Sequence, residues 1–70
     1  MDWIVTPDSS TIARFRYANE RKTLEVEFKN GGRYSYFDVP EIVFERMRAA
    51  SSKGQFLARE VKGRYRYARA

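Results

Sequence analysis

Cysteine and histidine are both missing from this chain, and together the two absences remove much of the chemistry a small protein can carry. Without thiols there is no disulfide framework, no thiolate zinc site and no thiol nucleophile. Without imidazole, the side chain most often used as a general base near neutral pH is gone as well. The three aspartates and six glutamates are scattered over different expected faces and offer no cage for a metal ion. Asp8, Ser9 and Ser10 sit together, but a turn or strand start accounts for them. The sequence therefore predicts neither enzyme activity, nor a cofactor, nor a small-molecule substrate. Proline is limited to Pro7 and Pro40, and no apolar run approaches the roughly 18 residues of a membrane span. The opening MDWIVTPDSS has no basic region followed by an apolar core, so no signal peptide is expected and a cytoplasmic location is the default.

What is present is the composition of a small globular protein. Apolar residues make up 43% of the 70, charged residues 33%, and eleven are aromatic. That is too hydrophobic for a disordered chain, although a domain of this size buries only about 60% of the surface its unfolded chain exposes. One domain over residues 1–70 is expected, with a core at about 9–65 and a basic C-terminal arm at 64–70. The net charge of +5 is unevenly placed. Residues 1–20 sum to −1 and 21–40 to +1, whereas 41–70 hold eight basic groups against Glu41, Glu45 and Glu60, for +5. A clustered positive surface attracts polyanions, which makes nucleic acid the leading class of partner.

Periodicity supplies the elements. From Thr11 to Tyr17, Ala13, Phe15 and Tyr17 alternate with Arg14 and Arg16, and Ile12 falls on the wrong parity, which predicts a bulge or a strand start beside it. From Thr23 to Lys29, Leu24, Val26 and Phe28 alternate with Glu25, Glu27 and Lys29. Asn30, Gly31 and Gly32 tolerate positive φ, so this strand should turn back tightly into a third, with Tyr34 and Tyr36 on one face and Arg33, Ser35 and Phe37 on the other. Pro40 suits a first helical position, followed by a stripe of Val43, Met47 and Ala50 with Phe44 beside it. Ser52 and Gln55 have capping-box spacing for a second helix from about Lys53 to Lys62, with Phe56, Leu57 and Val61 buried and Gly63 as its stop. The expected fold is α+β: a three-stranded antiparallel meander followed by two helices packed on one face. The tail RYRYARA reads equally as a short extra strand, a docked arm or a free end.

In order along the chain, Ser9, Ser10, Ile12, Tyr17, the strand Leu24, Val26 and Phe28, then Gly32, the YxY pair Tyr34 and Tyr36, Val39, Pro40, Ala50, Ser52, Gly54, Phe56, Val61 and Tyr65 resemble the KTSC domain family. That family is named after the C-terminal end of certain lysyl-tRNA synthetases and also occurs as stand-alone bacterial proteins. The likeness spans Ser9 to Tyr65 and departs from the family pattern at Arg16 and Ala18, around the GYD-like position, and at Leu57, where a polar residue is usual. It implies a small α+β module, with RNA binding suggested by attachment to a tRNA-handling enzyme.

The candidate contacts follow from charge and aromaticity. Lys53, Arg59, Lys62, Arg64, Arg66 and Arg69 face one nearby acid, Glu60, and Tyr65 and Tyr67 are interleaved among them. Arginine forks suit phosphates and tyrosines stack on unpaired bases, a combination suited to single-stranded or structured RNA. The competing account is a solubilising basic helix with Tyr65 docked in the core. Ser51, Ser52, Lys53 and Gly54 could hold an anion, but an ordinary N-cap explains the serines more simply. Tyr34 and Tyr36 are expected in the core, since they should share the face of Leu24 and Val26. Glu25 and Glu27 should pair with Arg14, Arg16 and Arg33 and make the outer sheet face a poor phosphate platform. The alternative function is a protein-interaction or self-association module that uses Trp3, Ile4, Phe37 or Ile42.

Overall fold

The structure, a computed structural model, describes residues 3–70. Five strands form one antiparallel sheet in sequential order: β1 (Ile4–Val5), β2 (Ile12–Ala18), β3 (Thr23–Phe28), β4 (Arg33–Tyr36) and β5 (Tyr67–Arg69). Helix α1 covers Glu41–Ala49, and α2 covers Lys53–Phe56 and runs on as a wider π-helical turn over Leu57–Val61. The expected three-stranded meander is thus the centre of a larger sheet. Two edge strands extend it, one of two residues and one of three, each too short for alternation to reveal.

The centre follows the expected registers. Phe15 faces Val26 and Tyr17 faces Leu24 across β2 and β3, and Val26 and Leu24 face Tyr34 and Tyr36 across β3 and β4. The ladder shifts between Ile12 and Arg14, so a bulge returns Ile12 to the inner face, where it is fully buried. Phe44 stacks on Tyr17 with centroids 5.1 Å apart and meets Phe15 edge-on at 5.8 Å, which fixes α1 across the middle of the sheet. Met47, Leu57 and Val61 complete the core from the helical side.

The helix boundaries show two corrections. Pro40 does not open α1; its ψ of 149° keeps it extended, and it acts as the N-cap, its carbonyl accepting from the Val43 N–H at 3.0 Å. The second helix keeps α geometry only to Phe56. Lys62 N–H then reaches back five residues to the Leu57 carbonyl at 2.9 Å, and Leu57 and Val61, four residues apart, both face the core. The Ser52 hydroxyl accepts from the Gln55 N–H at 3.3 Å, as the capping spacing anticipates. Gly63, at φ 82°, then turns the chain toward β5.

The outer sheet face carries the expected ion pairs. Arg14 bonds Glu27 and Arg16 bonds Glu25, with Arg33 4.0 Å from Glu27. The Trp3 ring lies across the same surface, 4.4 Å from the Arg14 guanidinium, 4.3 Å from that of Arg16 and 5.5 Å from that of Arg33. Trp3 is therefore half-buried in a cationic nest instead of standing free.

Candidate nucleic-acid interface

β5 decides how the C-terminal residues are distributed. It pairs with β4 in the register Tyr36 to Tyr67, Ser35 to Ala68 and Tyr34 to Arg69, so residues 67 and 69 lie on the inner face and 68 on the outer. Backbone bonds from Phe37 N–H to the Arg66 carbonyl and from Ala70 N–H to the Arg33 carbonyl, both 2.8 Å, close the ladder at its two ends. Of the three readings of RYRYARA, the extra strand is the one found.

The eight residues singled out from sequence consequently do not share one surface. Lys62, Tyr67 and Arg69 meet on the inner face beside Tyr34: the Lys62 ammonium stands 5.3 Å from the Phe28 ring and the Arg69 guanidinium 5.9 Å from the Tyr34 ring. Arg66 leaves in the opposite direction, bonding Asp38 at 3.2 Å and lying 5.9 Å from the Phe37 ring. Lys53 is held at the junction of the helices by a 2.7 Å bond from its ammonium to the Ala50 carbonyl, while Arg59 and Arg64 are exposed. Tyr65 is half-buried against the core. Spacing on a continuous helix would have aligned Arg59, Lys62 and Arg66. The helix ends at Val61, so Arg66 belongs to the tail instead.

The inner face is least covered at the β4–β5 edge. Tyr36 is buried there, Tyr34 is half-buried and Tyr67 is 61% exposed. The three rings form a triangle, with centroids 5.7 Å apart for Tyr34 and Tyr67, 5.9 Å for Tyr36 and Tyr67 and 6.4 Å for Tyr34 and Tyr36, and Phe28 meets Tyr34 edge-on at 5.5 Å. These rings, with Asn30, Lys62 and Gly63, line an open recess of about 430 Å³ that contains no carboxylate. Burial, and secondarily Tyr34 and Tyr67, push the Tyr36 hydroxyl above its ordinary pKa of 10.0, so it stays neutral at physiological pH.

A second, larger groove of about 1030 Å³ adjoins it between the β1–β2 loop, the β3–β4 turn and the start of α2. Its walls bring Ser9, Ser10 and Thr11 opposite Ser51, Ser52 and Gly54, two stretches about forty residues apart in the chain. Ser9 is committed to the fold, its hydroxyl accepting from the Thr11 and Ile12 N–H groups at 3.3 and 3.0 Å. Lys29, Lys53 and Lys62 contribute positive charge and Asp8 a single carboxylate. Sequence reasoning assigned no ligand role to Lys29, which lies on the exposed side of its strand by alternation and comes into the groove only through the turn; its ammonium bonds the Pro7 carbonyl at 3.2 Å.

Among the described residues no group of three or more Asp or Glu side chains could hold a metal ion, and no helix is long and apolar enough to cross a membrane. Ion pairs among the described residues involve Arg14, Arg16, Arg33, Arg48 and Arg66, none of which faces either recess.

The sequence pattern of the KTSC domain family matches residues 8–65, which is most of the chain. The protein belongs to the KTSC domain family. A KTSC domain protein from Yersinia pestis, solved as a crystal structure, superimposes with a TM-score of 0.93 at 29% identity, covering 99% of this chain and 96% of the other. A lysine–tRNA ligase from Trichormus variabilis is 39% identical over 64 residues, which is 91% of this chain and 11% of the ligase. The KTSC chain thus spans about a ninth of the length of the curated ligases it matches. A protein from Tsukamurella paurometabola is 37% identical over 59 residues and matches over 88% of its own length, so the KTSC fold also makes up nearly the whole of a short protein.

Proposed function

We propose that this KTSC protein is a small noncatalytic module that binds nucleic acid, RNA in the first instance, through the cationic surface of its C-terminal third. The observation that carries the reading is the placement of charge. Lys62 lies beside Phe28 and Arg69 beside the half-buried Tyr34, at the edge where Tyr67 is exposed, and both lie outside the ion pairs of the described residues, whereas the arginines of the sheet's outer face are answered by Glu25 and Glu27. Free cations beside aromatic rings suit phosphates and unpaired bases together. The occurrence of the same domain within lysine–tRNA ligases favours an RNA ligand over a DNA one.

The binding residues differ from those a continuous helix would give. Lys62, Arg69, Tyr67 and, at the margin, Lys53, Arg59 and Arg64 form the binding side; Tyr65 serves the core and Arg66 the opposite face. The alternative, an apolar protein-interaction or self-association surface, finds less support. Of its four candidates, Trp3 is engaged by three arginines, Ile4 packs on the core and Phe37 is half-buried under Arg66, so Ile42 alone is exposed, at 57%.

Binding of labelled tRNA, single-stranded RNA and duplex DNA at low and near-physiological salt tests the proposal. A preference for RNA that persists near physiological salt and is lost on reversing the charges of Lys62 and Arg69 is the expected result. Equal, weak binding to all three polyanions that vanishes with salt would overturn it.

A further inference from the structure

The two recesses adjoin and can serve together as one track. The tyrosine recess and the serine-lined groove share three wall residues, Phe28, Asn30 and Lys62, and so meet edge to edge with the Lys62 ammonium at the junction. The two ends differ in chemistry. At one end, Tyr34 and Tyr67 line the recess, with Arg69 beside the Tyr34 ring and no carboxylate. At the other, hydroxyls and the ammonium groups of Lys29 and Lys53 dominate.

We infer that this track holds an unpaired segment of a single strand, with one base stacked against Tyr67 and Tyr34 and the adjoining phosphates passing Lys62 toward Lys29 and Lys53. This inference rests on the nucleic-acid reading above and assigns it a place and a binding mode. The size fits, because about 430 Å³ lies within the range of pockets that take a small ligand and leaves room for one nucleotide. The charge fits as well, since Lys62 stands at the junction and Lys29 and Lys53 line the larger groove, where Asp8 is the one carboxylate. The aromatic floor is built to stay in place. Tyr36 is buried beneath it, and the β4–β5 ladder fixes Tyr67 opposite Tyr36. Stacking of this kind calls for unpaired bases, because those inside a duplex are stacked on one another and present no free face to the tyrosines.

The test separates this mode from binding by charge alone. A fluorescently labelled oligouridylate of about eight nucleotides and an abasic strand of equal length are titrated against the intact protein, Tyr67→Ala, Tyr67→Phe and Lys62→Ala/Arg69→Ala. Stacking predicts that the intact protein prefers the base-bearing strand by about tenfold or more. Tyr67→Ala should bring the two strands level without changing the salt dependence, and Tyr67→Phe should keep the preference. Lys62→Ala/Arg69→Ala should weaken both strands and lower the salt slope by about 0.7 for each phosphate that is no longer neutralised. Because Tyr67 is 61% exposed on an edge strand, its truncation should leave the fold intact, which circular dichroism melts check directly. If the intact protein binds both strands equally and Tyr67→Ala changes neither, the stacking site is wrong while charge-driven binding stands. If it binds neither strand, both readings fail.

Discussion

Tyr17 ties the sheet to the entry of α1: its buried hydroxyl donates to the Val39 carbonyl while its ring stacks on Phe44. Tyr17→Phe should lower unfolding stability by about 1–3 kcal/mol in urea titrations, because the Val39 carbonyl would be left buried without a partner. Burial, and then Glu41, raise the Tyr17 hydroxyl above its ordinary pKa of 10.0, so its contribution is complete below pH 10 and is lost as pH rises through the folded-state value. Melts above pH 10 should therefore fall more steeply for the intact protein than for Tyr17→Phe. Glu27 behaves in the opposite sense. The hydrogen bond from Arg14, aided by the charges of Arg14 and Arg33, holds its pKa below 4.5, so its contribution is present above pH 4.5 and is lost on acidification through the folded-state value. Glu27→Gln should flatten the acid limb of the melting temperature. Gly54 gives a third residue-level prediction. In a helix, alanine is preferred to glycine by about 1 kcal/mol, but a Cβ here would stand 2.6 Å from the Thr11 hydroxyl oxygen. Gly54→Ala should thus destabilise the intact protein and stabilise a Thr11→Ala background, a change of sign that a double-mutant cycle reads directly.

At the level of elements, the parts legible in the sequence are those whose alternation or turn chemistry is complete within a few residues. Leu24, Val26 and Phe28 announced β3, Gly31 at φ 98° supplied the turn that Asn30–Gly31–Gly32 implied, and the misplaced parity of Ile12 foretold the bulge. What escaped depends on tertiary context. β1 has two residues, too few for a period, and exists because Ile4 and Val5 pair with Phe15 and Arg14. The π turn has no signature in the spacing of Leu57 and Val61, which share a face of an ordinary helix as well, and the end of the helix at Val61, which leaves Arg66 in the tail, could not be read from helical spacing. Asp38 at φ 57° was equally invisible, since aspartate tolerates that conformation without announcing it. The candidate site shared this division: its residue types stood out, but their grouping awaited the register of β5. β5 is exposed at all three positions and touches the buried core through the Tyr67 ring on Tyr36, without placing a residue in it. A chain ending at Tyr65 should therefore still fold, with accelerated amide exchange at Phe37, whose N–H loses the Arg66 carbonyl.

Over the whole molecule, charge is sorted by face. The outer sheet face neutralises its arginines internally and seats Trp3 among them, and the inner β4–β5 edge leaves cations and tyrosines open to a ligand. A net charge of +5 alone would attract any polyanion; the proposed RNA binding differs in that it should follow this sorting. The most direct measurement is a comparison of single-stranded RNA affinity, at near-physiological salt, between two charge reversals of equal size: Lys62→Glu/Arg69→Glu on the inner edge, and Arg16→Glu/Arg66→Glu away from it, with folding of each verified by circular dichroism. The account predicts loss of binding in the first and near-retention in the second. Equal loss in both would show that total charge, and not the tyrosine-bearing edge, governs the interaction, and would contradict it.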